Sequence, residues 1–101
     1  MKQKQITIYT YGVFDLFHKG HVELLRDAKA LGDKLVVGIF TDKVAQSFKR
    51  KPIISYENRN VVVAACKYVD QVVKQSTLTP DDNLFSIKPD ILAKGPGAGV
   101  P

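Results

Sequence analysis

At 101 residues, 45% hydrophobic and 25% charged, the chain has the composition of one soluble globular domain and too little length for two. Fifteen Lys and Arg against ten Asp and Glu give a net charge of +5, which suits an anionic small molecule. No basic stripe is interleaved with aromatics, so nucleic acid is not an expected partner. With no apolar run near the roughly 20 residues that span a bilayer, no signal-peptide pattern, and Cys66 as the lone cysteine, no membrane span and no intrachain disulfide are expected. A reducing cytoplasm is the expected setting.

The first strand is expected at 5–10, where Ile6, Thr7, Ile8 and Tyr9 are β-branched or aromatic. A helix follows over 18–31, with Val22, Leu24, Leu25, Ala28 and Leu31 on one face and Gly32 as its stop. Lys34–Phe40 is nearly all apolar, so it reads as a strand buried on both faces. Strand, helix and strand in this order make a right-handed crossover with parallel pairing. Residues 42–52 read as a short helix fading into a basic loop that ends at Pro52. Ser55 is placed to cap a further helix running to about Cys66, with Val61, Val62, Ala65 and Cys66 as its buried face. Gln71–Lys74 is a short strand, and Asp81–Ile87 a short helix capped near Thr79. Ile91–Ala93 is a last strand, and the Gly- and Pro-rich residues 96–101 are expected to be a flexible tail. The fold class is therefore α/β, a Rossmann-like three-layer sandwich around a central parallel sheet.

Chemistry concentrates between the first strand and the first helix. His18 and His21 are three residues apart, which sets both side chains on one side of the first helical turn, and Gly20 between them lets a ligand approach the backbone. A helix N-terminus offers N–H donors and a positive dipole end to phosphate, and two imidazoles there add donors for phosphoryl oxygens. Asp15 suits a turn former as well as a site residue. Lys49, Arg50 and Lys51 read either as a solvated loop or as cations folding over a triphosphate from the sheet's C-terminal edge. Arg59 reads either as a partner of a nearby acid or as a phosphate ligand. Cys66, with no base recognisable beside it, reads as a small core residue.

The His18-Lys19-Gly20-His21 stretch resembles the HxGH signature of the nucleotidyltransferase superfamily, and Gly12-Val13-Phe14-Asp15-Leu16-Phe17-His18 is close to its cytidylyltransferase form. Leu31–Gly38 with Thr41-Asp42, Lys49–Pro52 with Ser55–Arg59, and Lys67–Val73 are similar to three further blocks of that family. The resemblance covers roughly residues 5–95, and its spacing is compatible with glycerol-3-phosphate cytidylyltransferases. It implies His18 and His21 as catalytic residues and Gly12, Val13, Phe14, Asp15, Gly20, Lys49, Arg50 and Lys51 as nucleotide-binding. It implies Arg59 at the acceptor phosphate, and Lys67, Tyr68 and Asp70 as structural or dimer-interface residues.

The reaction implied is transfer of CMP from CTP to a small phosphorylated alcohol, glycerol 3-phosphate first, with release of pyrophosphate. Mg²⁺ would accompany the triphosphate, no protein metal site is expected, and a homodimer is expected by resemblance alone. Two alternatives stand beside this reading. One is an adenylyltransferase using ATP on a sugar phosphate or flavin mononucleotide, a branch in which Gly12–Asp15 and Lys94-Gly95 also occur. The other is a nucleotide-binding or dimerising module without turnover. The domain is expected over 1–95. The family's Arg-Thr-x-Gly-Ile-Ser-Thr-Thr segment has no match here, so a fragment of a longer protein is expected, and Gly95-Pro96-Gly97 replaces the Gly-Asp-Asp common in glycerol-type members.

Overall fold

The computed structural model describes residues 4–94; Gly95 and the expected flexible tail 96–101 lie outside the described residues. The chain forms β1 (Thr7–Gly12), α1 (Lys19–Lys29), β2 (Lys34–Phe40), α2 (Asp42–Phe48), α3 (Tyr56–Ala64), β3 (Gln71–Gln75), α4 (Asp81–Ile87) and β4 (Ile91–Leu92). The four strands make one parallel sheet in the order β3-β2-β1-β4. Thr7 pairs with Lys34 and Gly12 with Ile39 across β1–β2, while Val36 pairs with Gln71 across β2–β3. The chain moves outward from β1 to β2 to β3, then returns to add β4 on the other side of β1. That reversal opens a crevice at the carboxyl ends of β1 and β4, where open α/β sheets take ligands. No helix among the described residues is long and apolar enough to cross a membrane.

Leu35–Phe40 is buried throughout, as expected of a central strand covered on both faces. Ile8, Leu25, Leu35, Val37, Ile39 and Val63 form one core cluster, which places α1 and α3 on the same face of the sheet. Tyr9, next to Ile8 in the strand, points to the opposite face. There its hydroxyl donates to Gln75 Oε1 at 2.6 Å and accepts from Asn83 Nδ2 at 2.9 Å, tying α4 to the sheet. Burial pushes the Tyr9 phenol above its usual range, with the Asn83 bond opposing. A side chain at Gly38 would overlap the Tyr9 hydroxyl, so this network requires glycine there.

The helix boundaries depart from expectation in instructive ways. α1 stops at Lys29 with Ala30 as its C-cap, which leaves Leu31 beyond the helix and 53% exposed. Ser55 occupies the N-cap position of α3 but its side chain makes no capping bond, and the N-cap of α4 is Pro80, not Thr79. The expected buried face of α3 is wrong. Arg59 and Val63, four apart, face the sheet, while Val61 and Val62 are 66% and 44% exposed, Ala65 is exposed and Cys66 half-buried. The run Val61–Ala65 is apolar on every side and carries no phase of its own. The bonds of Arg59 set it instead.

Candidate active site

The first turn of α1 is closed by its own histidines. His18 is the N-cap, with an extended backbone, and its Nδ1 accepts from Gly20 N at 3.0 Å. The Nδ1 of His21 accepts from His18 N at 3.1 Å, so the pair forms a capping box in which imidazoles replace the usual Ser and Glu. A ring nitrogen that accepts carries no proton. The network therefore assigns the neutral tautomer with hydrogen on Nε2 to both rings, and each presents an N–H donor away from the helix. The two rings lie 4.0 Å apart, and Phe17 stacks on His21 at 5.4 Å while Phe14 meets it edge-on at 5.5 Å. A side chain at Gly20 would press on the His18 ring, with Cε1 2.8 Å from the added carbon. Burial first, then the repulsion a second proton on the neighbouring His18 would add and the Lys49 charge, hold the His21 pKa below the usual histidine value, with Asp15 opposing. Neutral His21 is thus favoured by both its bonds and its surroundings.

The loop entering this turn is held in an unusual shape. Phe14 and Leu16 adopt left-handed backbone conformations, at φ 55° and 52°, each of which costs a non-glycine residue about 1–2 kcal/mol. Asp15 between them accepts from Ile53 N at 2.8 Å and Ile54 N at 2.9 Å. Burial pushes the Asp15 carboxyl upward, but these two bonds and the Arg59 charge outweigh it, and the pKa lies below the usual range. Arg59 completes the tie. Only 1% exposed, it donates to Val13 O at 2.7 Å, Ile54 O at 2.9 Å and Asp42 Oδ1 at 2.6 Å. The β1–α1 loop, the start of α2 and the end of the basic loop are thereby fixed to one guanidinium.

A cavity of about 540 Å³ opens at this end of the sheet. Of the sequence-predicted residues it brings together Gly12, Val13, Phe14, Asp15, His18, His21, Lys49 and Arg50. Gly20, Lys51 and Arg59 do not line it. Arg59 lies outside this cavity, with its buried guanidinium donating to three protein oxygens, and the Asp42 bond is the acid pairing that was one of its two readings. Tyr11, Leu16, Leu24, Phe40, Phe48, Pro52 and Leu78 also line the cavity and were not singled out from sequence. Tyr11 and Phe40 sit at the carboxyl ends of β1 and β2, and that position alone was a usable signal.

The remaining expected residues lie elsewhere. Asp70 accepts from Lys29 Nζ at 2.6 Å and Leu35 N at 2.7 Å, joining the end of α1 to the start of β2. Lys67 lies over the Tyr68 ring at 5.2 Å, and both line a separate open cleft with Phe17, Val22, Val62, Ala65 and Cys66. Among the described residues no group of three or more His, Cys, Asp or Glu side chains is placed to hold a metal ion.

The family described as Cytidylyltransferase-like matches residues 9–98. The chain is 43% identical over 94 residues to the bifunctional protein HldE of Helicobacter pylori (strain P12), covering 91% of this chain and 20% of that protein. It is 40% identical over 99 residues to the bifunctional protein HldE of Pseudomonas syringae pv. syringae (strain B728a), covering 96% and 21%. The crystal structure of the lipopolysaccharide core biosynthesis protein from Thermoplasma volcanium GSS1 superposes with a TM-score of 0.84 at 31% identity, covering 88% of this chain and 73% of that one. The chain spans about a fifth of the length of the curated relatives it matches. The parallel sheet, the histidine-capped turn at its carboxyl edge and these matches place the chain in the cytidylyltransferase-like family of the nucleotidyltransferase superfamily.

Proposed function

We propose that the chain transfers AMP from ATP to a sugar phosphate. An oxygen of the acceptor phosphate attacks the α-phosphorus in line, a new P–O bond forms as the α–β bridging P–O bond breaks, and the electron pair leaves on pyrophosphate. The observation that carries nucleotidyl transfer is the capping box: with both Nδ1 atoms engaged by the backbone, two Nε2–H donors stand at the positive end of α1. They would donate to the α-phosphate and to the bridging oxygen as charge develops there. The backbone at Val13 and Phe14 would cradle phosphate, and Lys49 and Arg50 would hold the β- and γ-phosphates. No covalent enzyme intermediate is required, so positioning and preorganised charge carry the rate. Mg²⁺ would enter with the triphosphate. Among the described residues no cluster of three or more His, Cys, Asp or Glu side chains fits a protein-bound ion.

The choice of ATP and a sugar phosphate over CTP and glycerol 3-phosphate rests on the relatives. The neighbour described as a lipopolysaccharide core biosynthesis protein fits an acceptor of sugar type, and the Lys94-Gly95 pair fits the adenylyl-transferring branch. A cytoplasmic homodimer with Lys67 and Tyr68 on its contact face belongs to the same reading, and sedimentation velocity tests the dimer. Calorimetric titration of ATP and CTP with Mg²⁺ into the chain and into His18→Ala, followed by pyrophosphate release with sugar phosphates and with glycerol 3-phosphate, tests the reaction. ATP preference and sugar-dependent release are expected. Preference for CTP with release on glycerol 3-phosphate would restore the cytidylyl reading.

A further inference from the structure

We propose that the aromatic wall opposite the histidines is the acceptor subsite, and that Tyr11, Phe48 and Leu78, braced by Phe40, take the apolar face of a pyranose ring. The proposal rests on the sugar-phosphate reading above and deepens it. Phe40 is 5% exposed and anchors the wall, with Tyr11 edge-on to it at 5.7 Å and Phe48 at 5.2 Å; Tyr11 also stacks on buried Tyr9 at 6.1 Å. Phe48 and Leu78 nevertheless keep 46% and 56% of their surface open, and both line the cavity shared with His18 and His21. Large apolar groups held rigidly in a cavity that also carries two imidazoles and two cations are a binding surface, not unused core.

The topology assigns the occupant. The wall is built at the carboxyl ends of β1 and β2, the last residue of α2 and the β3–α4 loop, so it lies on the β2–β3 side of the cavity. The strand order reverses on the other side, between β1 and β4, which leaves that crevice for the nucleoside. A molecule on the wall with its phosphate directed to the imidazoles reaches the α-phosphorus from a side that the nucleoside leaves open. A pyranose has a C–H face for aromatic rings and hydroxyl edges for water. Glycerol 3-phosphate has three carbons and no ring face, and leaves the wall uncovered.

The test uses saturation-transfer NMR on the whole chain with glucose 1-phosphate and mannose 1-phosphate as pyranose probes and glycerol 3-phosphate as the ring-free probe, with affinities from titration. Saturation is expected on the sugar C–H protons. Phe48→Ala and Leu78→Ala should each weaken the sugar phosphates about tenfold without weakening ATP, whereas Phe48→Tyr retains them. Phe85→Ala, at a side chain 81% exposed and outside the cavity, should change neither ligand. Both truncated side chains are already half exposed, and thermal melts confirm that the variants fold. Absence of sugar binding, tighter binding of glycerol 3-phosphate than of either sugar, or loss of ATP instead of sugar in Phe48→Ala overturns the assignment. Sugar binding on the wall without any ATP binding refutes the adenylyl reading and leaves the subsite standing.

Discussion

Arg59→Met separates two roles that a sequence cannot tell apart. The side chain is fully buried, and its removal strands Val13 O, Ile54 O and the Asp42 carboxylate, which is 36% exposed. Breaking a buried pair from one side costs about 3–5 kcal/mol. Because water reaches Asp42, the lower end applies, about 3 kcal/mol. Domains of this size are stable by about 5–15 kcal/mol, and 1 kcal/mol shifts their Tm by about 4–8 °C. A fall of about 12–24 °C is expected, read by circular dichroism. Arg59→Lys should recover only part of it, because one ammonium cannot serve three acceptors arranged for a guanidinium fork. ATP and sugar phosphate affinities, titrated well below the melting point, should fall together, since the β1–α1 loop and the basic loop lose a common tie. A Tm within about 3 °C of the parent, with sugar phosphate binding alone abolished, would refute this reasoning and return Arg59 to the acceptor role implied by the family resemblance.

Other perturbations give distinct signatures. His18→Ala and His21→Ala should each lower pyrophosphate release about 10²–10³-fold, the usual cost of one transition-state donor, and each should also remove about 1 kcal/mol of helix capping, measured as a small drop in Tm. The acid limb of kcat/KM against pH should lie below the ordinary histidine value, because the folded environment depresses the His21 pKa. Stability has the same sign. Above the unfolded value of about 6.5 both states are neutral and nothing changes. As pH falls from there toward the depressed folded value, the unfolded state takes up a proton that the native state refuses, and urea midpoints should decrease over that window. A His21→Gln variant that keeps the same slope would remove His21 from the explanation. Gly38→Ala forces Tyr9 from Gln75 and Asn83, so a loss of about 1–3 kcal/mol is expected in urea unfolding; an unchanged midpoint would show that the Tyr9 ring can move freely.

What the sequence revealed follows from how local each constraint is. β2 was readable to the residue because its apolar run is continuous and bounded by Lys34 and Thr41. The histidine pair was readable because three-residue spacing after a strand fixes a shared face whatever surrounds it. The phase of α3 was not readable, since five consecutive apolar residues satisfy any rotation and Arg59 chose among them through partners up to 46 residues away. Nor was the aromatic wall. Tyr11, Phe40, Phe48 and Leu78 come from four separate segments that meet only when β1 and β2 pair in the observed register. Contacts of that kind carry no local pattern.

The same distinction explains why this domain cannot separate its chemistry from its folding. An ordinary capping box uses side chains that only satisfy the helix. Here the capping atoms are the Nδ1 atoms of the residues whose Nε2 atoms face the cavity, so the backbone bond that closes α1 also selects the tautomer that donates to phosphate. Protonating either ring removes an acceptor from the helix and brings positive charge to the dipole's positive end, a change that disfavours the cap. Displacing the His18 ring by a side chain at Gly20 has the same double effect on its own cap and donor. The left-handed Phe14 and Leu16 add to this coupling, because the strain they carry is tolerated only while Asp15 holds Ile53 and Ile54, the segment that follows the basic loop. One short turn thus sets the helix start, the donor tautomers and the anchor of the cationic loop together.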